Sequence, residues 1–433
     1  MDPSPRPVDR CRGEIVSSWL VLLLFACSVG IGCFKHLRPS LEDFQSWGIS
    51  DWLINYEGGF VRRGLLGQLL LELEKIHLYD VRIAITAICV VFSLVILFIL
   101  LRIFKKQGWS LLIIPTGLCL GYIFMNYWGR RDMLSLTMTF VIFLTYRAAV
   151  SRPRRWLPWT AFHLLSVLQI LIHEASFFYT FPILMLYDFH RLRAQHHTVG
   201  ASLGWCLLHF MPVLMTMGLV CLFKGDQQMA ESVWASWGAV FDTYQPGKAE
   251  AEIGLSVKAL GWDAMETFYN HLYTGYVGCH APRLWRIPLA LMNLPITYFL
   301  LTRLDSVRTG IYPQRAMSHA TMSDIVLVQF FALLPMYTVL SCDWGRTLPY
   351  LVISSVFFFH LFKQEEPLFS RHLTRMSSRL QDGIAAIKPR HLATVYILLV
   401  LLAPIPRYYA PFDTINTIQQ KFCTEFLHLI NHS

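Results

Sequence analysis

Arginine occurs in short motifs at three places far apart in the chain, each beside a glycine. Because a guanidinium stays charged and holds phosphate oxygens through a planar fork of donors, these arginines are candidate ligands for a phosphate or pyrophosphate. The adjacent glycines would let the backbone approach the same anion closely. The motifs are Glu57-Gly-Gly-Phe-Val-Arg62-Arg63-Gly64, Gly129-Arg130-Arg131-Asp132 and Asp343-Trp344-Gly345-Arg346.

Carboxylates near these motifs are candidates for the general base that a hydroxyl acceptor requires. In order of preference they are Glu57 and Glu174 together, then Asp51, then Asp43. Glu57 shares a glycine-rich turn with the first arginine motif, and His173 can orient or assist Glu174. Asp51 is expected to start or cap a short helix. Asp132 and Asp343, beside the arginines, are assigned supporting roles.

The sequence lacks the motifs of several common classes of enzyme. His173-Glu174 is followed by Phe177 where a zinc protease motif needs a second histidine. The chain has no phosphate-binding P-loop, dinucleotide fingerprint or nucleophile elbow, so a soluble nucleotide donor is disfavoured. The ten cysteines show no metal-ligand spacing. We therefore predict no metal site and no cofactor, although a divalent cation is left open.

The composition of the 433-residue chain is that of a membrane protein. Hydrophobic residues make up 55% and charged residues 15%, with a mean hydropathy of +0.44, against about 45–50% and about 25% in soluble domains. Disorder, collagen and a disulfide-rich scaffold are excluded. The net charge of +9 indicates basic cytoplasmic loops rather than nucleic-acid binding. The expected fold is all-α, one integral membrane domain over residues 1–433.

Hydropathy predicts a polytopic helical bundle of about eleven spans, each needing roughly 20 mostly apolar residues or somewhat fewer. The short pair that meets at His173 could instead be one kinked helix. The predicted spans are Val16–Phe34, Ile83–Leu101, Trp109–Tyr127, Met133–Val150, Trp156–Ile172, Ala175–Tyr187, Ala201–Phe223, Ile287–Leu304, Ile325–Leu340, Thr347–Phe362 and Leu392–Pro406.

The distribution of Lys and Arg predicts a cytoplasmic N-terminus. Arg6–Arg12, Arg152–Arg155 and Arg371–Arg390 then face the cytoplasm, and the charged motifs lie on the outer face. For any single motif, an Arg–Asp pair that only caps a helix end is an alternative, and a lone histidine is more often structural. Ionisable groups at membrane depth are costly, however, so four such turns on one face favour a functional site.

Two outer segments are too long to be turns. Residues 35–82 carry leucines at helical spacing after Gly64, which predicts a helix lying in the membrane interface. Residues 224–286 are rich in aromatic residues, which form either a belt at the membrane surface or a platform on which sugar rings stack. These aromatic residues are Trp234, Trp237, Tyr244, Trp262, Tyr269, Tyr273 and Tyr276.

This arrangement resembles the GT-C glycosyltransferases, which place a catalytic carboxylate in the first outer loop, followed by an interfacial helix. The outer arginines are similar to those of O-antigen polymerases and ligases. The tract Asn55-Tyr-Glu-Gly-Gly-Phe-Val-Arg-Arg-Gly-Leu-Leu-Gly67, with the later motifs, resembles membrane proteins of bacterial polysaccharide gene clusters. The chain departs from the commonest GT-C pattern in having no clear Asp-Asp or Asp-Glu pair; Glu42-Asp43 comes closest.

The resemblance implies a transferase or polymerase for polyprenyl-(pyro)phosphate-linked glycans, such as O-antigen or another surface polysaccharide. Its partners would be the lipid-linked donor, a glycan acceptor and membrane lipids. It would reside in the bacterial inner membrane with its active site facing the periplasm. Two alternatives stay open: a transporter or flippase for anionic lipid-linked or soluble substrates, and a membrane acyltransferase with His173 as base.

Overall fold

The computed structural model describes residues 44–76, 81–104, 129–244, 252–269, 294, 297–301, 304, 319–336 and 344–362. Within these ranges the regular secondary structure is helical and contains no strand, so the all-α prediction is confirmed for the part described. The predicted spans at 16–34, 109–127 and 392–406 lie outside the described residues. The count of about eleven helices and the GT-C architecture stay predictions.

The helices are numbered here in chain order, and their bounds are as follows. They are α1 Trp47–Leu53, α2 Gly64–Lys75, α3 Val81–Phe104, α4 Asp132–Ser151, α5 Trp156–Ile172, α6 Ser176–Ala194, α7 Val199–Leu222, α8 Gln227–Ala235, α9 Gly238–Tyr244, α10 Leu255–Lys258, α11 Ala264–Phe268, α12 His319–Pro335 and α13 Trp344–Leu361.

Three of the described helices, α3, α4 and α7, are long and apolar enough to cross a membrane. Shorter apolar helical segments occur at Trp156–Ile172, Asp324–Pro335 and Pro349–Leu361. Helix α7 shows the pattern of a helix that faces lipid on one side: Leu207 and Met211 are exposed, whereas Phe210 and Val213 are buried. The chain is therefore a helical membrane protein.

The predicted break at His173 is real, because α5 ends at Ile172 and α6 begins at Ser176. The His173 N–H donates to Gln169 O at 2.8 Å, and the Ser176 hydroxyl donates to His173 O at 2.6 Å. Helix α6 continues to Ala194, well beyond the predicted end at Tyr187. Two helices therefore meet at a tight turn that carries His173 and Glu174.

Helix α4 packs against α3, α5, α6 and α13. Buried polar side chains join it to α5: Gln169 Nε2 donates to Ser135 O at 3.1 Å and to Thr139 Oγ1 at 2.9 Å. Because α4 is held by so many neighbours, its first residue has a fixed position relative to the ends of the surrounding helices. This is where the second arginine motif lies.

The first loop folds over the end of the bundle as α1 and α2. The helix predicted from the leucine spacing is present as α2, and its position in the membrane interface stays a prediction. Helix α2 crosses the end of α1 closely at Gly67, where an added Cβ would lie 1.9 Å from Ile54 O. Such a separation is far inside van der Waals contact, so only glycine fits here.

The described part of the second long loop forms the short helices α8 to α11. Trp234 and Trp237 are buried, and the Trp237 indole N–H donates to Leu53 O at 2.8 Å. A stacking platform is therefore wrong for these two residues, which join the loop to α1. Trp262 packs edge-on against Trp47, and Tyr269 is exposed. Tyr273 and Tyr276 lie outside the described residues, as does the Tyr244 side chain.

Candidate functional site

Four charged side chains from distant segments meet at one end of the bundle. They are Asp51 in α1, Arg63 just before α2, Arg131 just before α4, and Glu174 in the turn between α5 and α6, and together they are called the charged cluster. Arg63 contacts both carboxylates, and Arg131 Nε lies 3.7 Å from Asp51 Oδ2. The sequence prediction that these motifs share one face is consistent with this arrangement.

Arg63 bridges the two carboxylates of the cluster. Its Nη2 donates to Glu174 Oε1 at 2.6 Å and its Nε donates to Oε2 at 2.8 Å, which forms a bidentate pair. Its Nη1 donates to Asp51 Oδ1 at 3.2 Å. The Arg63 backbone is left-handed, with φ at 65°. For a residue other than glycine this conformation costs on the order of 1–3 kcal/mol, and it persists only where surrounding contacts enforce it.

Arg131 has a different environment, because it is fully buried and binds backbone. Its Nη1 donates to Arg63 O at 2.9 Å and to Ile172 O at 2.8 Å, and its Nη2 donates to Asp51 O. The guanidinium also lies over the Trp52 ring, 5.4 Å from its centroid. One side chain thus fastens the first loop and the end of α5 to the start of α4. We assign Arg131 a positioning role.

The cations of the cluster keep both carboxylates ionised. Burial opposes ionisation of Asp51, but Arg131, Arg63 and Arg130 outweigh it and hold the pKa of Asp51 well below its ordinary value. Burial likewise opposes ionisation of Glu174, and Arg63 outweighs it, so the pKa of Glu174 is also well below its ordinary value. Burial lowers the pKa of Arg131 to about 10, which leaves it charged at neutral pH.

Exposure separates the members of the cluster into an accessible and an enclosed pair. The Arg63 and Glu174 side chains are 19% and 13% exposed, whereas those of Asp51 and Arg131 are 0% exposed. A ligand that arrives from outside therefore meets the Arg63–Glu174 pair first. The Asp51–Arg131 pair supports it from beneath.

Three further predicted residues border the cluster. Arg62 donates from Nη2 to Ala259 O at 3.0 Å, and burial lowers its pKa although Glu174 opposes the shift. Arg130 is 7% exposed and His173 is 1% exposed. The charges of both affect Asp51, which places them close to it. Such burial does not favour His173 as a group that receives a proton directly from a substrate.

Two sequence interpretations of the acidic residues need correction. Glu57 lies outside the cluster and pairs with Lys75 at 3.2 Å, since its turn directs it along the exposed side of α2. Asp51 does not cap a helix: Ser46 is the N-cap of α1, and Asp51 is buried in the second half of that helix. The structure thus reverses the order of preference between Glu57 and Asp51 as neighbours of the arginines.

The glycine prediction also needs correction in the first motif. A Cβ on Gly58 would lie 3.0 Å from the Met229 backbone, and one on Gly64 would lie 2.2 Å from the Tyr56 ring. These glycines therefore admit neighbouring protein segments rather than an anion. The reason is that this turn packs against Met229 of α8 on one side and against the Tyr56 ring on the other.

Of the two aspartates that were assigned supporting roles, Asp132 belongs to the described residues and Asp343 does not. Asp132 begins α4 and accepts a hydrogen bond from the Tyr350 hydroxyl of α13. Arg346 lies in the first turn of α13, one helical turn before Tyr350, and its side chain lies outside the described residues. Asp343 and Asp43 lie outside the described residues as well. Helix α13 thus begins near the same end of the bundle as the charged cluster.

Sequence reasoning did not identify Trp52, Tyr350 or the carbonyl of Ile172 as parts of this region. Trp52 donates from its indole to Gly129 O at 2.5 Å and lies beneath Arg131. Its position next to Asp51 was a possible signal, because tryptophan at a charged loop often pairs with a cation. Backbone acceptors such as Ile172 O leave no mark in a sequence.

Within the residues described, no group of three or more His, Cys, Asp or Glu side chains is placed to hold a metal ion. The chain matches no protein-family model, no curated protein and no solved structure. In and around the charged cluster, four arginines at positions 62, 63, 130 and 131 outnumber three carboxylates at positions 51, 132 and 174, and of these carboxylates only Glu174 is accessible.

Proposed function

We propose that this protein is a membrane glycosyltransferase or polymerase that acts on polyprenyl-(pyro)phosphate-linked glycans at the periplasmic face of the bacterial inner membrane. The observation that carries the proposal is the convergence of Asp51, Arg63, Arg131 and Glu174 from four distant segments. An accessible Arg–carboxylate pair is suited to hold a phosphate leaving group beside a base.

The position of the cluster supports the proposed orientation. Arg152, Arg154 and Arg155 follow the last residue of α4, and Arg191 and Arg193 lie in the last turn of α6. The cluster lies at the opposite ends of the same helices. Since Lys and Arg near helix ends are enriched on the cytoplasmic side, the cluster is assigned to the periplasmic side.

Arg62, Arg63 and Arg130 are the residues we assign to the phosphate groups of the donor. Arg63 is the accessible fork, and Arg62 and Arg130 add positive charge next to it. Arg131 already donates to three backbone carbonyls, so it holds the site together rather than binding substrate. Arg346 is retained as a further ligand from the start of α13.

Glu174 is the residue we assign as the general base. In the absence of substrate its ion pair with Arg63 makes it a weak base, because its pKa is far below neutral. A phosphate that attracts the Arg63 guanidinium would weaken this pair and raise the basicity of Glu174. Base activation would then require a bound donor.

Glu174 and the arginines supply the proton acceptor and the positive charge that the transfer reaction requires. The acceptor hydroxyl gives its proton to Glu174 while its oxygen forms a bond to the anomeric carbon of the donor sugar. The bond between that carbon and the phosphate oxygen breaks, and polyprenyl (pyro)phosphate leaves with the negative charge that the arginines stabilise. Asp51 keeps Arg63 and Arg131 in place and takes no proton.

Two exposed leucines of α2 are candidate contacts for the polyprenyl chain of the donor. Helix α2 begins directly after Arg63, and its Leu69 and Leu73 side chains are exposed. Exposed leucines beside a charged site are suited to a substrate with a polar head and an isoprenoid tail. This feature supports a lipid-linked donor over a soluble sugar phosphate.

The alternative of a transporter has less support from the described geometry. Transporter sites usually lie near the membrane midplane, on interrupted helices. The cluster instead lies at helix ends and in loops. An acyltransferase with His173 as base is disfavoured by the 1% exposure of that residue.

The proposal is tested with purified protein and a polyprenyl-pyrophosphate-linked oligosaccharide from the same organism. We expect transfer or extension of the glycan, detected by gel or mass spectrometry, and release of polyprenyl pyrophosphate. Absence of product with every lipid-linked donor of that pathway would overturn the proposal. Movement of unchanged substrate across sealed vesicles would indicate a transporter instead.

A further inference from the structure

A cavity of about 530 Å³ lies at the end of the bundle opposite the charged cluster. It is formed where α4, α5, α6 and α7 approach one another. Its polar lining consists of Arg191 and three histidines, and two tryptophans form part of its apolar wall. These residues are Trp159, His163, Arg191, His197, Trp205 and His209.

The polar lining is fixed by a buried carboxylate outside the cavity lining. Arg191 Nη2 donates to Asp188 Oδ1 at 2.6 Å, and His209 Nδ1 lies 2.7 Å from Asp188 Oδ2. Asp188 is 0% exposed, so it holds both groups in the wall without facing the cavity. Arg191 therefore keeps further N–H groups in the cavity wall, and His209 keeps its second ring nitrogen, Nε2, there.

The mouth of the cavity is basic. Pro153 belongs to its lining, and the neighbouring Arg152, Arg154 and Arg155 are exposed, as is Arg193 at the end of α6. No acidic residue belongs to the lining among the residues described. Because Asp188 already pairs with Arg191, the complementarity to an anionic ligand rests on the exposed arginines at positions 152, 154, 155 and 193.

The remaining wall is apolar and continuous with the membrane-facing side of α7. Trp205 is 49% exposed and Leu208 is 51% exposed, next to other exposed apolar residues of that helix. The centroid of the Trp159 ring lies 4.7 Å from that of the His209 ring and 5.9 Å from that of the His163 ring. A ligand here meets imidazole and guanidinium groups on one side and hydrocarbon on the other.

We propose that this cavity binds the phosphate headgroup of an anionic phospholipid from the surrounding membrane leaflet. Basic pockets between transmembrane helices on the cytoplasmic side typically hold such headgroups. Tryptophans at the boundary of an apolar helix surface suit the same depth in the bilayer. The exposed apolar wall of α7 favours a lipid over a soluble phosphate, because the acyl chains of a lipid would contact this wall and a soluble phosphate would leave it uncovered. The inference rests on the proposed orientation of the bundle but not on the proposed glycosyl transfer.

The test uses the full chain in nanodiscs of phosphatidylcholine with or without phosphatidylglycerol. Retained lipids are counted by native mass spectrometry after extraction, and thermal stability is measured in both membranes. We expect wild-type protein to retain phosphatidylglycerol selectively and to gain thermal stability from it. Equal retention of both lipids would overturn the proposal. Displacement of the retained lipid by inorganic phosphate alone would assign the cavity to a soluble anion instead and would also overturn it.

Two variants locate the retained lipid. His163→Ala combined with His197→Ala removes two hydrogen-bonding groups from the lining without touching Asp188, and we expect phosphatidylglycerol binding to weaken about fivefold or more. His190→Ala on α6 is the matched control, because His190 does not line the cavity, and it should bind as wild type does. Trp205→Ala, at an exposed position, should weaken binding even if the double variant folds poorly. Wild-type retention in Trp205→Ala and in the double variant would contradict the assignment.

Discussion

Arg63 Nη2 lies 2.6 Å from Glu174 Oε1, although the two residues are 111 positions apart in the chain. The same guanidinium reaches Asp51 at 3.2 Å. Both carboxylates are thereby held ionised, but only Glu174 is accessible. A ligand that competes for Arg63 would change the chemistry of Glu174, and this link is the basis of the predictions below.

Replacing Arg63 separates its charge from its backbone conformation. Arg63→Lys loses the planar fork, and Arg63→Gly loses the charge but fits the left-handed backbone without strain. Hydrogen bonds to charged groups are worth roughly 1.5–3 kcal/mol, so we expect activity to fall at least about tenfold in both variants. Product formation is the measurement.

The matched control for this prediction is Arg102→Lys, at the end of α3 and far from the cluster. It should keep wild-type activity. Full activity in Arg63→Lys would mean that a point charge suffices and that the bidentate grip has no role in turnover.

Gly67 is predicted to be essential for the placement of the first loop. A Cβ there would lie 1.9 Å from Ile54 O, so Gly67→Ala must push α2 away from α1. We expect a loss of stability of about 1–3 kcal/mol, as for other overpacked positions, measured by thermal unfolding in detergent.

Gly204→Ala provides the control, because nothing lies within 4 Å of an added Cβ on the outer side of α7. Its melting temperature should equal or slightly exceed that of wild type, since alanine favours helix. If Gly67→Ala were as stable as Gly204→Ala, the close crossing of α2 over α1 would be disproved.

The charged cluster predicts a loss of stability in acid. The pKa of Asp51 and that of Glu174 are lowered in the folded protein, so their contribution is complete above the ordinary carboxyl pKa values. It is lost as the pH falls below about 4, where the unfolded chain binds protons that the folded chain does not. Melting temperatures from neutral pH down to about pH 3 measure this loss.

Glu174→Gln should flatten this acid dependence, because one of the two linked carboxyls is gone. Glu57→Gln removes an exposed carboxyl outside the cluster and should leave the curve close to that of wild type. An unchanged curve in Glu174→Gln would show that its pairing with Arg63 does not contribute to stability.

The two ends of the bundle are predicted to face opposite sides of the membrane. With the native cysteines replaced, because Cys221 is exposed, a cysteine at Glu57 on the turn of the first loop should react with an impermeant thiol reagent added to intact spheroplasts. A cysteine at Arg154, exposed after α4, should react only after permeabilisation. Reaction of Arg154→Cys in intact cells would reverse the proposed orientation.

Sequence patterns were sufficient for the elements whose signal is local. The leucine spacing of α2 and the apolar length of α3, α4 and α7 follow from residue order, whereas the sequence left open whether the chain breaks or only kinks at His173. The packing partners do not follow from residue order. Glu57 adjoins the arginines in sequence yet pairs with Lys75, whereas Asp51 lies on α1, whose packing places its carboxylate beside Arg63 and Arg131. Burial and the backbone carbonyls that Arg131 binds depend on tertiary contacts, which composition and spacing do not encode.

The proposed transfer reaction is tested most directly by comparing Glu174→Gln with Glu57→Gln in the purified, folded protein supplied with a polyprenyl-pyrophosphate-linked glycan. Both substitutions keep side-chain shape and remove a carboxylate, but only Glu174 lies in the charged cluster. We predict that wild type and Glu57→Gln extend or transfer the glycan, while Glu174→Gln loses at least about a hundredfold in rate, within the range for removal of a general base. Wild-type product formation by Glu174→Gln would contradict the assignment of the base and the role of its pairing with Arg63.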